Sequence, residues 1–181
     1  GHTFGTLEPA PAVRKSDYGI PEDALMVLLL SRMHWKKGVD LLLDAARDLP
    51  GVYFLMAGDG PDLEKYKSMA VDLGVGDRAI FPGWCDNRAA LLDIADLCVL
   101  PSRYEPFGTV IAEAWFAKTP LVATRADGAR QYVTDQKDGL LVDIDDRDGL
   151  VAALKAGLYD RKLAAQIVKG GTKTYNALFS R

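Results

Sequence analysis

Short apolar runs alternate along the chain with longer segments in which apolar residues recur every three or four positions. Continuous apolar runs of this length are typical of strands buried on both faces of a sheet. The spaced segments are typical of helices that bury one face, as at Val39, Leu42, Leu43 and Ala46. This alternation predicts a doubly wound, parallel α/β sheet with a Rossmann-like arrangement of about six strands. The predicted strands cover residues 25–30, 52–57, 79–82, 97–100, 121–124 and 139–142.

The loops that follow the predicted strands are the first candidates for a binding site. Parallel strands end at the same edge of a sheet, and ligands of such sheets bind in the crevice beyond the carboxyl ends. We therefore expect these loops to form one binding edge. They cover residues 31–37, 58–61, 83–86, 101–109 and 124–128.

The first of these loops is rich in cations. It contains Arg32, His34, Lys36 and Lys37, followed by Gly38 and a helical segment predicted from Lys37 onward. Two or three cations beside a helix N-terminus would suit a diphosphate, because both favour anions. The alternative is a solvated basic loop, and His34 taken alone is interpreted as a surface residue rather than a base.

The loop after the fourth predicted strand leads into a predicted helix over residues 110–116. Pro106 disfavours helical backbone angles at Glu105, so we expect Glu105 in an extended loop. Gly108 and Thr109 have the pattern of a helix start, with the Thr109 hydroxyl as the predicted cap. The free backbone N–H groups of such a start would suit a phosphate.

A second carboxylate, Glu113, falls about one turn into that helix and near the same mouth. Glu105 and Glu113 would then flank a potential anion site. A strand, a loop and a helix also make up any ordinary α/β unit, and Glu113 can simply complement the helix dipole. Both interpretations stay open on these residues alone.

The segment Gly58-Asp59-Gly60 does not fit a dinucleotide-binding fingerprint, because Leu63 stands where the third glycine belongs. We interpret Gly58 as part of a tight turn with a close backbone approach. In the next loop, Trp84 could stack on a base or only cover the loop, and Asp86 is the predicted cap of the helix that follows through Ile94. Cys85 has no neighbouring thiol or histidine in the sequence, which assigns it no chemistry.

Composition narrows the function classes. The chain has 181 residues, 49% of them hydrophobic, and a net charge of −3, which disfavours nucleic acid as its main partner. The sequence contains no apolar run long enough to span a bilayer, and no signal peptide is expected, because the first residues include few apolar ones. Cys85 and Cys98 form neither a disulfide framework nor a zinc site, and Cys98 is a predicted core residue. The acidic stretch around Asp145, Asp146 and Asp148 is interpreted as a solvated helix start rather than a metal site. A cytoplasmic, reducing setting is expected.

Several motifs together resemble one known family. They are Arg32 with Lys37-Gly38, Ala57-Gly58-Asp59-Gly60-Pro61, Phe81-Pro82-Gly83, Ala95-Asp96, Pro101-Ser102, and Glu105-Pro106-Phe107-Gly108 with Glu113 eight positions after Glu105. From residue 25 to its end, the chain resembles the C-terminal, donor-binding domain of retaining glycosyltransferases of the B fold, the glycosyl transferases group 1 family.

The resemblance implies catalytic roles for three residues. Arg32 and Lys37 would hold the donor diphosphate and stabilise it as it leaves. Glu105 would bind sugar hydroxyls near the reacting carbon. The same resemblance implies that the reaction needs no metal and no other cofactor. It also implies that the substrate is a nucleotide-diphosphate sugar.

The resemblance also implies donor-binding roles. Glu113 would bind the ribose hydroxyls, and the loop at Trp84 and Cys85 would lie along the base. The remaining donor-binding residues are expected to contact the donor mainly through their backbone, namely Gly58, Phe107, Gly108 and Thr109. Gln131 stands where the family often has a glutamate, which puts a role for Gln131 in doubt.

The expected organisation has three parts. Residues 1–18 would be a linker or an expression remnant, residues 19–158 the nucleotide-sugar-binding domain, and residues 159–181 a helical segment that stops before its return to an N-terminal acceptor domain. That acceptor domain is missing here, so we expect little or no transfer by the chain alone. The full-length protein could be peripheral to the inner membrane face.

The implied reaction is transfer of a hexose from a nucleotide-diphosphate sugar to an acceptor, with retention. Two alternatives remain, a non-catalytic nucleotide-sugar binding module and an epimerase of the same fold. A dehydrogenase is the least favoured class, because the dinucleotide fingerprint is absent.

Overall fold

The fold is built on one sheet of six parallel strands in the order β3-β2-β1-β4-β5-β6. A computed structural model describes residues 12–179. The strands are β1 (Met26–Leu30), β2 (Tyr53–Ala57), β3 (Ala79–Gly83), β4 (Leu97–Leu100), β5 (Leu121–Thr124) and β6 (Leu140–Val142). The predicted parallel, Rossmann-like sheet is confirmed, and each apolar run matches a strand to within a residue or two at each end.

Seven α-helices are found in the described part of the chain. They are α1 (Val39–Ala46), α2 (Leu63–Asp72), α3 (Arg88–Ile94), α4 (Thr109–Ala117), α5 (Asp127–Tyr132), α6 (Arg147–Tyr159) and α7 (Arg161–Phe179). Two short 3-10 helices precede β1 and α1, at Lys15–Tyr18 and Trp35–Lys37. Within residues 12–179, no helix combines the length and the apolarity that crossing a bilayer requires.

The two faces of the sheet carry separate apolar layers. On β1, Val27 and Leu29 point to one face, while Met26, Leu28 and Leu30 point to the other, and all five are buried. The first layer packs against α1, α2 and α6, and the second packs against α3 and α4. Full burial of one such side chain stabilises the fold by about 1.5–3 kcal/mol, so the central strand needs no polar face.

Two predicted helix caps were wrong. Asp86 does not cap α3, because Asn87 occupies the N-cap position and makes no side-chain cap hydrogen bond. Thr109 does not cap α4 either, since it is already the first helical residue. Gly108 is the N-cap instead, with φ of 60°, so the turn relies on glycine geometry rather than on a hydroxyl.

Other differences concern helix bounds. The helix predicted from Lys37 onward begins at Val39, because Lys37 ends a 3-10 turn and Gly38 separates the two. The short helix α5 was not anticipated in the stretch after β5. Asp146 is the N-cap of α6 and accepts a hydrogen bond from the Gly149 N–H at 2.9 Å, as the prediction of an acidic helix start requires.

The segment just before β1 is attached to the domain. Lys15 donates hydrogen bonds to Asp96 at 2.9 Å and to the Ala24 carbonyl at 2.6 Å. Tyr18 Oη accepts a hydrogen bond from Asn87 at 3.2 Å. Residues 15–18 are therefore part of the folded unit, whereas the linker prediction for residues 1–11 lies outside the described residues.

The strand order identifies the binding edge. The sheet extends from β1 in both directions, with β2 and β3 on one side and β4, β5 and β6 on the other. The strands β1 and β4 are therefore adjacent in the sheet, although β2 and β3 separate them in the sequence. A crevice opens beyond the carboxyl ends at such a switch point. The loops that follow β1 and β4 meet there, and these are the loops of Arg32–Lys37 and of Glu105.

Candidate functional site

Two adjoining clefts lie at the carboxyl edge of the sheet. Cleft A has a volume of about 670 Å³ and cleft B of about 610 Å³, both in the range of small-molecule sites. Arg32 and Pro61 line both clefts. Cleft A is otherwise lined by Leu30, Ser31, Ala57, Gly58, Asp59, Gly60, Trp84, Cys85 and Arg88. Cleft B is otherwise lined by His34, Lys36, Lys37, Tyr104, Glu105, Pro106 and Phe107.

Cleft B combines three cations with one carboxylate. Arg32 is exposed and makes no salt bridge to any other residue within 12–179. The Lys36 ammonium lies 5.6 Å from the centre of the Tyr104 ring, a cation–π distance. The His34 ring accepts a hydrogen bond from the Lys36 N–H at 3.1 Å, so this histidine caps the 3-10 turn. Among the described residues, neither Arg32 nor Lys36 is paired with a carboxylate, so both can face an anion.

Lys37 and Glu105 form the central ion pair of cleft B. Lys37 Nζ lies 2.8 Å from Glu105 Oε2, although the two residues are 68 positions apart. Their side chains are only 21% and 13% exposed, so water screens the pair weakly. Ser102 Oγ lies 3.4 Å from the same carboxylate oxygen. A lysine ammonium has three N–H donors, which leaves two for a ligand.

Arg103 holds the two loops of cleft B together, and the sequence analysis did not identify it. Its N–H donates to the Lys36 carbonyl at 2.8 Å, and its guanidinium donates to the Trp35 carbonyl at 2.7 Å. The guanidinium also donates to both carboxylate oxygens of Asp40, at 2.8 and 2.9 Å, and to Asp145 at 2.7 Å. The hydrogen bond to Asp40 is the main cause that raises the pKa of Arg103. The guanidinium stays charged and fixes the Glu105 loop against the Lys37 loop.

Gly58 lines cleft A and lies in close contact with the backbone of the loop after β1. Gly58 has φ of 147°, a region that other residues rarely adopt, and its N–H donates to the Gly83 carbonyl at 2.8 Å. A Cβ on Gly58 would overlap the Ser31 carbonyl. The predicted close backbone approach is confirmed, and its partner is the loop after β1.

Trp84 and Cys85 line cleft A, as the resemblance suggested for residues along a base. Trp84 is 74% exposed, so its ring is available to a ligand. Burial, followed by the charge of Asp86, raises the pKa of the Cys85 thiol, which keeps it protonated at neutral pH. Cys98 is fully buried in β4, and burial raises the pKa of its thiol to about 12, so its predicted place in the core is confirmed.

Glu113 is held by Arg88, which the sequence analysis also missed. Arg88 Nε donates to Glu113 Oε2 at 2.8 Å, and Nη2 donates to Oε1 at 2.7 Å. Arg88 lines cleft A, whereas Glu113 lies behind it with 28% of its side chain exposed. The hydrogen bond to Glu113 raises the pKa of Arg88. No local signal could have identified Arg88, because 25 residues separate it from its partner.

The start of α4 is only partly at the clefts. Phe107 lines cleft B and is 80% exposed. Gly108 and Thr109 line neither cleft; with Phe107 they line an apolar groove of about 430 Å³ beside α7. Gln131 is exposed on α5 and also lies outside both clefts. In the part of the chain described, no group of three or more His, Cys, Asp or Glu side chains could hold a metal ion.

The site therefore unites most of the residues that the sequence singled out. Arg32, Lys37, Glu105 and Phe107 share cleft B. Arg32 also reaches cleft A, where the sequence predictions had placed Gly58, Trp84 and Cys85. An elongated ligand with an anionic centre would fit across the junction, with its charge at Arg32.

Comparison with known proteins identifies the family. Residues 13–174 match the family described as glycosyl transferases group 1. The chain is 36% identical over 170 residues to the lipopolysaccharide core biosynthesis glycosyltransferase LpsE of Rhizobium meliloti, covering 94% of this chain and 50% of LpsE. It spans about half the length of the curated relatives it matches first.

Solved structures agree with the observed fold. HepE of Anabaena in complex with UDP-glucose superposes with a TM-score of 0.86 at 26% identity, over 91% of this chain and 47% of HepE. The C-terminal domain of LpcC, a glycosyl transferase group 1 family protein of Francisella tularensis, has a TM-score of 0.77. That domain is 20% identical, which shows the fold alone, and the match covers 92% of this chain and 97% of the LpcC domain.

The sheet order, the paired clefts and these matches agree with one another. One half of a GT-B fold accounts for the six-stranded parallel sheet. It also accounts for the length of the chain, which is about half that of LpsE and HepE. The chain belongs to the glycosyl transferases group 1 family of transferases, and its fold is that of the C-terminal domain of LpcC.

Proposed function

We propose that this chain is the donor-binding half of a retaining glycosyltransferase that moves a hexose from a nucleotide-diphosphate sugar to an acceptor. The observation that carries the proposal is the junction of cleft A and cleft B at Arg32, beside Lys37 and Glu105. A nucleotide sugar has the matching order of parts, a nucleoside, an anionic diphosphate and a polar sugar.

The nucleoside fits cleft A, with its base near Trp84 and Cys85 and its backbone close to Gly58. The diphosphate fits the junction, where Arg32 and Lys37 supply positive charge. The sugar then lies in cleft B, where the free lone pairs of the Glu105 carboxylate can accept its hydroxyls.

These groups suit the charge that develops in the reaction. The bond between the anomeric carbon and the diphosphate oxygen breaks, and a bond from the acceptor oxygen forms on the same face. The acceptor proton passes to the departing phosphate oxygen. Negative charge builds on the diphosphate in the transition state, where fixed cations stabilise it most effectively. We propose that Arg32, Lys36 and Lys37 supply this charge, so that no metal is essential.

The relatives support the proposal and indicate what the chain alone can be expected to do. LpsE is a lipopolysaccharide core biosynthesis glycosyltransferase, and HepE was solved with UDP-glucose. Since the chain spans about half of LpsE, we propose that an N-terminal domain of the same protein supplies the acceptor site. The 181-residue chain alone is then expected to bind nucleotide and to transfer little or no sugar.

Calorimetric titration with UDP, GDP and ADP tests donor binding. We expect one nucleotide to bind the wild-type chain and to bind Lys37→Ala and Glu113→Ala about tenfold more weakly, because each loses a charged hydrogen-bonding group. Arg47→Ala is the control, since Arg47 pairs with Asp44 on the exposed side of α1, away from both clefts. Equal affinity in all four proteins, or no binding of any nucleotide, would contradict the proposal.

A further inference from the structure

We propose that the outer face of α7, together with the end of α4, is a docking surface for a lipid bilayer that contains anionic lipids. The surface is a groove of about 730 Å³ between α7 and the segment that joins α4 to β5. Four cations line this basic groove, namely Lys118, Arg161, Lys169 and Lys173. The inference does not rest on the proposed function, because none of these residues lines cleft A or cleft B.

The cations of the basic groove have no carboxylate partners. No Asp or Glu lines the groove, and within residues 12–179 none of its four cations forms a salt bridge. The 19 residues of α7 include four cations and no Asp or Glu, although the net charge of the chain is −3. Exposed cations on α1, α2 and α5 pair instead with a carboxylate three residues away. The positive charge of α7 is therefore available to an external anion.

The folded chain gains no stability from this arrangement of charges. Lys169 and Lys173 are four positions apart on α7, a spacing at which like charges repel. Arg161 and Lys162 lie in the first turn of α7, where a cation opposes the helix dipole. Lys118 ends α4 with φ of 60°, a left-handed conformation that favours glycine. These residues together indicate a role in binding rather than in folding.

The spacing of the cations matches a surface of many phosphates better than a single phosphate. Arg161 and Lys173 are twelve positions apart, which places them about 18 Å apart along the helix axis. Both are exposed, as are Lys118 and Lys169. One phosphate would need cations that converge on a point, whereas these follow the helix for more than three turns. An anionic bilayer presents headgroups over such a length and attracts clusters of Lys and Arg.

Apolar side chains next to the cations favour a bilayer over other polyanions. Phe116 and Phe179 are exposed, and their rings lie 5.4 and 4.8 Å from the ring of Tyr175. Phe179 follows Arg161 and Val168 on one face of α7, since these positions are separated by seven and eleven residues. Cations beside aromatic rings are typical of helices that lie in a membrane interface. Nucleic acid also presents many phosphates, but the net charge of −3 disfavours it as a partner.

The position of the basic groove allows docking without blocking the clefts. The helix α4 begins at Thr109, two residues after Phe107 of cleft B, and it ends at the groove beside Lys118. The proposed acceptor domain must meet the sugar in cleft B, which leaves the basic groove at the far end of α4 for another partner. We therefore expect lipid binding and nucleotide binding to be independent of each other.

The test measures sedimentation of the 181-residue chain with vesicles. The vesicles contain either phosphatidylcholine alone or equal parts of phosphatidylcholine and phosphatidylglycerol. We expect the wild-type chain to bind only the mixed vesicles at low ionic strength and to be released at about 1 M salt, which screens the attraction. The triple variant Lys118→Gln, Lys169→Gln, Lys173→Gln should bind them about a hundredfold more weakly, because each cation near an anionic bilayer contributes about fivefold.

A second triple variant removes the same charge from another part of the surface. Arg47→Gln, Lys65→Gln, Lys67→Gln changes exposed residues of α1 and α2, which pack on the opposite face of the sheet from α4. It should bind the mixed vesicles within about threefold of the wild-type affinity, since these charges lie beyond the screening length. Thermal unfolding shows whether each variant is folded. Calorimetry with UDP, GDP and ADP should give the wild-type result for the basic-groove variant, so failure of the proposed function leaves this test intact.

Three results would overturn the inference. The first is that the wild-type chain does not bind the mixed vesicles. The second is an equal loss of affinity in the two triple variants, which would mean that the bilayer responds to total charge rather than to this face. The third is binding of single-stranded RNA, but not of vesicles, that the basic-groove variant loses, which would make the groove a nucleic-acid site.

Discussion

At the scale of single residues, the Lys37–Glu105 pair shows how the site keeps its charges in place. Both side chains are largely covered, so each charge depends on the other for stabilisation in place of water. Because Lys37 has two further donors, a diphosphate can bind without breaking the pair. Under the proposed function, the pair holds the carboxylate that would face the sugar next to the cation that would face the diphosphate.

This dependence predicts coupled stabilities. Lys37→Met leaves Glu105 without its cation, and Glu105→Gln leaves Lys37 without its anion; each should lower the free energy of unfolding by about 1–3 kcal/mol. The double variant should lose less than the sum of the two, because it leaves no unpaired charge. Urea unfolding of the four proteins measures the coupling.

Lys67→Met provides the control for that cycle, since Lys67 pairs with the exposed Glu64 in α2. Combined with Glu105→Gln, it should give additive losses. Additive losses for Lys37→Met and Glu105→Gln as well would mean that the 2.8 Å contact contributes no net interaction in solution.

At the scale of elements, Arg103 makes two loops into one unit. The loop after β1 and the loop after β4 are joined through its bonds to the Trp35 and Lys36 carbonyls and to Asp40. A third element contributes from the other side, where the Gly128 N–H at the start of α5 donates to the Glu105 carbonyl at 2.7 Å. The position of Glu105 is thus set by backbone contacts as well as by Lys37.

The Arg103–Asp40 contact predicts a dependence of stability on acid. Burial alone would raise the pKa of Asp40, but the hydrogen bonds and the charge of Arg103 outweigh burial and lower this pKa from its ordinary value. A carboxyl with a lowered folded-state pKa contributes fully above its unfolded value and loses this contribution as pH falls through the folded value. Protonation of Asp40 should therefore lower the free energy of unfolding only below about pH 4.

Urea unfolding at several pH values, for the wild-type chain and Asp40→Asn, measures that effect. Because Asp40 is about one-third exposed, the difference between pH 6 and pH 3 should shrink by no more than about 1 kcal/mol in the variant. Asp72→Asn, at the exposed end of α2, should leave the pH dependence unchanged. If the free energy of unfolding falls equally from pH 6 to pH 3 in the wild-type and Asp40→Asn proteins, Arg103 does not lower the pKa of Asp40.

The same elements show how far the sequence leads and where it stops. Strands could be predicted because each is an unbroken apolar run, and the binding edge followed from their parallel order. Helix caps failed at Asp86 and Thr109, because the chain used Asn87 and Gly108 one residue away, and sequence patterns do not resolve a single position there. The forks at Arg88 and Arg103 could not be predicted, since their partners lie 25 and 63 residues away.

At the scale of the whole molecule, α7 ties the far end of the domain to the site helix α4. Trp115 of α4 donates its indole N–H to the Asp138 carbonyl at 2.8 Å, and Thr174 of α7 donates to the buried Asp138 carboxylate at 2.8 Å. The Tyr175 ring lies between Phe116 and Phe179, with centroid distances of 5.4 and 4.8 Å. Gly171 of α7 lies directly against the Trp115 indole. The helix that carries Glu113 is therefore backed by α7 on the side away from the clefts.

Gly171→Leu tests this coupling. A Cβ at Gly171 would overlap the Trp115 ring, so the larger side chain must separate α7 from α4 or displace the indole. Overpacking of this kind should lower the free energy of unfolding by about 1–3 kcal/mol. In a Trp35→Phe, Trp84→Phe background, Trp115 becomes the sole tryptophan, and its emission should shift to longer wavelength as the indole gains contact with water.

Ala165→Leu is the control, because Ala165 is exposed on the same helix, whereas Gly171 is buried. It should change neither stability nor emission by more than a small amount. If α7 positions α4, Gly171→Leu should also weaken nucleotide binding, since the Glu113 carboxylate would move with its helix. Reduced stability with unchanged Trp115 emission and unchanged nucleotide affinity would mean that α7 adds stability to the domain without setting the position of the site helix.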